Sequence, residues 1–170
     1  MSRLAALTVC LVGTLTLSAA TREEDAKKAA AQLKDKDPKV RVEGLKELAR
    51  LGQLQRKLAE PYVDDVTKAL KDSNAKVRGE AGRALGLMDP KDTKAAVKAL
   101  TDLLKDEKAQ EAREGQETGL GELGGTTDDG DLKKEAREAL LAARKKADDK
   151  REQKVIQAAL LLISGPKKKN

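Results

Sequence analysis

The stretch Leu33-Lys34-Asp35-Lys36-Asp37-Pro38-Lys39-Val40-Arg41 returns as Leu70-Lys71-Asp72-Ser73-Asn74-Ala75-Lys76-Val77-Arg78, with six of nine positions identical. A third copy opens at Leu104-Lys105-Asp106 and reaches Ala112-Arg113, one residue longer. The Leu-Lys-Asp starts lie 37 and then 34 residues apart. Such a period marks a repeat array, in which one unit cannot bury its apolar side alone and must stack on the next.

The flanks repeat as well. Before each copy, Ala26, Ala29 and Leu33, then Val63, Val66 and Leu70, then Val97, Leu100 and Leu104 stand at i, i+3 and i+7. That spacing is one stripe of an α-helix. After each turn comes a second stripe. Val40, Gly44, Leu48 and Leu51 align with Val77, Ala81, Leu85 and Met88, and with Ala112, Gln116, Leu120 and Leu123. Gln116 is the polar intruder. Asp35, Asp37 and Asp72 are placed to accept hydrogen bonds from the free N–H groups of the next helix start. Pro38 and Pro61 suit a first helical turn, and Asp89-Pro90 marks a helix end. The unit is therefore helix, turn, helix.

Composition points the same way. The chain of 170 residues has one aromatic, Tyr62, and no Phe, Trp or His, while Ala and Leu supply 51 residues. An all-β domain would need the β-branched and aromatic residues that are scarce here. Without His there is neither His-based catalysis nor a His metal ligand. The expected fold class is all-α, a short solenoid of antiparallel helix pairs. Recurrent Pro and Gly punctuation argues against a long coiled coil.

The pattern resembles the HEAT repeat family in its shorter, HEAT-like form. Val40-Arg41, Val77-Arg78, Ala112-Arg113, Ala84-Leu85-Gly86 and Gly119-Leu120-Gly121-Glu122-Leu123-Gly124 carry the resemblance. It implies that first helices face the convex side and second helices line a concave one. It also implies packing roles for Val40, Val77, Leu48 and Leu85, a turn role for Asp35 and Asp72, and an arginine position at Arg41, Arg78 and Arg113. The units fall near 24–51, 61–88 and 93–124, with capping helices over 131–163 closing a repeat domain of 21–165. Ankyrin and tetratricopeptide signatures are absent.

The ends differ from the array. Residues 1–20 combine Arg3, an apolar run from Leu4 to Leu17, and Ser18-Ala19-Ala20. A basic start, a short apolar centre and a small-residue end describe a secretory signal peptide. The run is shorter than the ~20 residues of a membrane span. The expectation is export to the periplasm or beyond, with membrane anchoring if the segment stays uncleaved and no stable insertion after cleavage. Cys10 lies within the run, so the exported chain would hold no thiol. Residues 166–170 form a basic tail, with Lys167-Lys168-Lys169 read as a solvated end.

Several motifs receive plain readings. Gly119 to Gly124 spells GxGxxG, but it closes a helix and does not follow a strand, so its glycines are read as surfaces of close helix approach. Gly124 to Asp131 does not fit the calcium-loop spacing and is read as a flexible surface loop. Charges such as Glu43, Lys46, Glu47 and Arg50 read as a solvated helix face. No Asp or Glu is expected in an apolar stripe where its pKa would rise. No catalytic, cofactor or metal residues are assigned.

The functional expectation is a non-enzymatic, exported module that binds an unidentified protein or peptide through its concave face. The residues assigned to it are Tyr62, Asp65 and Lys68 with Lys94, Lys98 and Thr101, taken to lie on second helices. The excess of 35 Lys and Arg over 29 Asp and Glu raises an alternative, polyanion or nucleic-acid binding. The lack of stacking aromatics argues against that. The resemblance also admits a lyase-type enzyme, which nothing beyond the repeat supports.

Overall fold

A computed structural model describes residues 21–165. The signal peptide reading, Cys10 and the lysine tail lie outside the described residues. Helix α1 covers 21–32. Then come α2 (Pro38–Leu54), α3 (Arg56–Ala59), a 3-10 turn (Glu60–Tyr62), α4 (Val63–Ala69) and α5 (Ala75–Met88). They are followed by α6 (Thr93–Asp106), α7 (Gln110–Thr126), α8 (Gly130–Lys146) and α9 (Lys150–Ser164). There is no strand among the described residues.

The turns begin the helices through local chemistry. Asp37 Oδ1 accepts from Lys39 N at 2.8 Å, with Pro38 in the first turn of α2. Asn74 Oδ1 accepts from Lys76 N at 2.9 Å. Asp92, Asp129 and Asp149 cap α6, α8 and α9 in the same manner. Asp35 and Asp72 act one step earlier than expected. Each accepts the N–H two residues on, that of Asp37 or Asn74 at 2.8 Å, and so braces the turn while the next polar residue caps. The left-handed Asp89, at φ 47°, ends α5 ahead of Pro90.

Second helices α2, α5, α7 and α9 pack side by side in that order, while α4, α6 and α8 lie behind α5, α7 and α9. Helices α8 and α9 thus stack as a fourth pair, α9 against α7 and α8 against α6. Leu45, Leu48, Val66, Leu70, Val77, Leu85, Val97, Leu100, Leu120, Leu123, Leu140 and Ile156 are fully buried between the layers.

Small residues bring the second helices into backbone contact. A Cβ on Gly115 would lie 1.9 Å from Gly79 O, and one on Gly119 2.1 Å from Gly82 O. On the other side of α7, a Cβ on Gly121 would meet Ala159 Cβ at 2.6 Å, and one on Gly124 would meet Ile163 at 2.7 Å. The GxGxxG run therefore serves two neighbouring helices while Leu120 and Leu123 enter the core. The loop expected from Gly124 onward is shorter than that reading: α7 continues to Thr126. Packing of Gly124 and Gly125 on α9 offsets the cost of glycine in a helix.

A ladder of arginines ties consecutive units. Arg41 donates to Asp35 O and Lys36 O of its own turn, and reaches Asp72 Oδ1 of the next at 2.7 Å. Arg78 donates to Asp72 O and Ser73 O, then holds Glu107 through Nε and Nη2 at 2.7 and 2.9 Å. Arg113 donates to Lys108 O and holds Glu152 at 2.6 and 2.8 Å. The acid two residues before each cap is Asp35, Asp72 or Glu107, but the fourth turn has Ala147 there. Arg113 therefore finds its acid on α9 instead. Gln153 takes the arginine position in the fourth pair and donates to Ala147 O at 2.8 Å.

Candidate interaction surface

The six residues assigned from sequence lie on first helices, not second ones. Tyr62 is in the 3-10 turn, half-buried against the core. Asp65 and Lys68 are on α4, paired at 2.8 Å. Lys94, Lys98 and Thr101 are on α6, where Lys98 meets Asp102 at 3.1 Å. Thr101 Oγ1 is buried without a partner. The turn Leu70-Lys71-Asp72 follows α4, so residues ahead of it belong to a first helix. The two sets occupy separate helices and much of their charge is already satisfied within them.

The second-helix face presents a different arrangement. A groove of about 630 Å³ runs between α2 and α5. Its walls come from matching positions, because Lys39-Val-Arg-Val-Glu43-Gly-Leu-Lys46 and Lys76-Val-Arg-Gly-Glu80-Ala-Gly-Arg83 share one charge pattern. Counted from the caps Asp37 and Asn74, the rows are Lys39 with Lys76, Glu43 with Glu80, and Lys46 with Arg83. Val42 lies in the lining, Pro38 and Asn74 stand at one end, and Glu111 of α7 adds a carboxylate beside Lys76. Glu80 and Arg83 approach to 3.6 Å. Lys39, Glu43, Lys46 and Lys76 have no ion pair among the described residues. The sequence showed both charge runs, but their alignment across a groove required the register of two helices.

Between α7 and α9 the structure overturns the expectation that no acid is buried. Glu117 is fully buried, and Glu114 and Glu152 are each 2% exposed. Glu152 is held by Arg113. Glu114 accepts from Gln110 at 3.0 Å and meets Arg151 at 3.1 Å. Neither oxygen of Glu117 is reached by a donor. Burial first, and then the Glu152 charge, push the Glu117 carboxyl up to about 8, against the pull of Arg113. Glu152, whose two oxygens are taken up by Arg113, is the acid whose charge acts on Glu117 most, and a buried carboxyl beside an anion favours its neutral form. The ladder acids behave oppositely. The Arg78 hydrogen bond draws Glu107 below its ordinary range, and Asp72 lies low despite burial because Arg41 and the Asn74 N–H favour its anion. The described residues contain no His, Cys, Asp and Glu group placed to hold a metal ion, and no helix long and apolar enough to cross a membrane.

Stacked helix pairs with an exposed second-helix face define an α-solenoid. The sequence matches the family of HEAT repeats over residues 26–121, more than half of its length, and the protein belongs to that family. Two crystal structures of engineered proteins share the fold. One is 22% identical with a TM-score of 0.59, over 82% of this chain and 38% of its own length. The other is 20% identical with a TM-score of 0.51, over 89% of this chain and 82% of its own. No curated protein matches the chain.

Proposed function

We propose that this protein is a non-enzymatic interaction module that holds a protein partner on its second-helix face, with the α2–α5 groove at the centre. The observation that carries the reading is a groove in which Lys39, Glu43, Lys46 and Lys76 have no ion pair among the described residues, against a fold assembled from close backbone contacts. Such side chains remain available to a partner, and arranged charge sets specificity and orientation more than raw affinity. Rows of alternating sign favour a patterned protein surface over a polyanion, which would meet Glu43 and Glu80 unfavourably. The export reading of residues 1–20 places this activity outside the cytoplasm, and the site needs no cofactor.

Partner capture from the native envelope fraction tests the assignment. Reversing Lys39 and Lys76 to glutamate is expected to remove the specific partner. Reversing Lys94 and Lys98 on α6 is expected to leave it. The opposite outcome would return the binding face to the first helices.

A further inference from the structure

Resting on that reading, we propose that the groove between α2 and α5 receives helix α8 of a second copy of this chain, lying antiparallel to both helices. The spacing of the rows selects the kind of occupant. Lys39, Glu43 and Lys46 are separated by four and then three residues, as are Lys76, Glu80 and Arg83. At a helical rise of about 1.5 Å per residue, the rows stand roughly 6 and 4.5 Å apart. Alternate residues of a strand fall at equal steps of about 6.7 Å and would be out of step by the third row. A helix has the same rise as the walls and stays in step. Its complement is acid, base, acid, spaced four and three when parallel, or three and four when antiparallel.

Helix α8 displays that antiparallel complement. Asp131, Lys134 and Glu138 are spaced three and four, and all are exposed. They have no ion pair among the described residues. Laid antiparallel, Asp131 meets Lys46 and Arg83, Lys134 meets Glu43 and Glu80, and Glu138 meets Lys39 and Lys76, the two lysines outnumbering the one like charge there, Glu111. Leu141, 37% exposed, follows three residues later and falls beyond the last row, at the Pro38 end of the groove. The comparable stripe on α6, Lys98-Asp102-Lys105, has the opposite signs and its charges already pair with one another.

The pairing is between copies. Within one chain, α8 packs against α6, α7 and α9, in the layer opposite the groove. Each copy therefore offers its groove to one neighbour and its α8 to another. Such a contact is heterologous, so the assembly grows head to tail unless its rotation closes a ring.

Sedimentation of the full chain across a concentration series tests the proposal, at about 20 mM and about 500 mM salt, where screening lengths differ several-fold. The expected result is self-association at low salt that weakens about tenfold or more at high salt. Lys39→Glu with Lys76→Glu, or Glu138→Lys alone, is expected to weaken it about tenfold. Mixing these two variants restores hetero-association, because the Glu138→Lys chain keeps its groove intact and the double variant keeps its α8 intact. Circular dichroism confirms that these surface variants stay folded. A chain monomeric at low salt, or association indifferent to the reversals or not restored by mixing, overturns the proposal. A monomer that still captures an outside partner through Lys39 and Lys76 removes the second copy and leaves the interaction reading standing.

Discussion

Replacing Glu117 with glutamine gives a direct measure of what the α7–α9 interface asks of its buried carboxyl. In the unfolded chain this group titrates near 4.5, and in the fold at about 8. At about 1.4 kcal/mol per pKa unit, the ionised form is disfavoured in the fold by roughly 5 kcal/mol. The folded pKa is raised, so the stability linked to this proton is fully present below pH 4.5 and is lost as pH rises through about 8. Between those values the folded state holds one proton that the unfolded state has released. Stability should fall by about 1.4 kcal/mol per pH unit from this group alone. Denaturant melts at pH 5.5, 7 and 8.5 are the assay. The wild type is expected to lose about 3 kcal/mol across the series, whereas Glu117→Gln, which keeps the volume and a donor facing Glu152, stays nearly flat. The acids drawn below their ordinary range, Glu107 and Asp72, do not confuse the result. Their contribution is present above that range and is lost only as pH falls through their lowered values. Parallel pH profiles for wild type and variant would refute the reasoning.

The ladder and the glycine contacts yield further expectations. Arg78→Ala leaves Glu107, its side chain 9% exposed, without its cation and should cost about 2–4 kcal/mol in a urea melt. Arg50→Ala removes a pair 54% and 34% exposed to Glu47 and should change stability by less than about 0.5 kcal/mol. Gly115→Ala would place a Cβ 1.9 Å from Gly79 O and is expected to force α5 and α7 apart, lowering Tm sharply or preventing folding. Gly130→Ala meets nothing within 4 Å and is expected to be neutral or to stabilise by up to about 1 kcal/mol. Gln116→Leu replaces a fully buried amide whose oxygen and nitrogen both lack partners, and should raise stability by about 1–3 kcal/mol in calorimetry.

Much of this architecture is local and so is legible in the sequence. The stripes through Val66 and Leu70, or Leu85 and Met88, follow from 3.6-residue periodicity, and Asp37-Pro38 announces a helix start through its own backbone chemistry. The repeat of Lys-Val-Arg then implies that neighbouring units are built alike. Sequence spacing also kept the third Leu-Lys-Asp copy in view despite its extra residue. It did not reveal that Glu107 inherits the role of Asp72, because that role depends on where Arg78 reaches.

Burial and pairing between residues 29 to 39 positions apart belong to the tertiary structure. Glu117 is one carboxylate among many in the sequence, and only the seating of α9 on α7, with Glu152 opposite, removes it from water and keeps its proton. The glycines at 115 and 119 matter because α5 comes close enough to meet them. The assignment of Tyr62, Asp65, Lys68, Lys94, Lys98 and Thr101 to second helices failed for a related reason: which layer a helix joins is settled by how pairs stack. The same stacking sets Lys39, Glu43 and Lys46 beside Lys76, Glu80 and Arg83. Sequence by itself determined the repeating helix pair, since periodicity and capping act within a few residues. The fold alone decided which side chains lose water and which face each other across a groove, since those outcomes depend on neighbours far away along the chain.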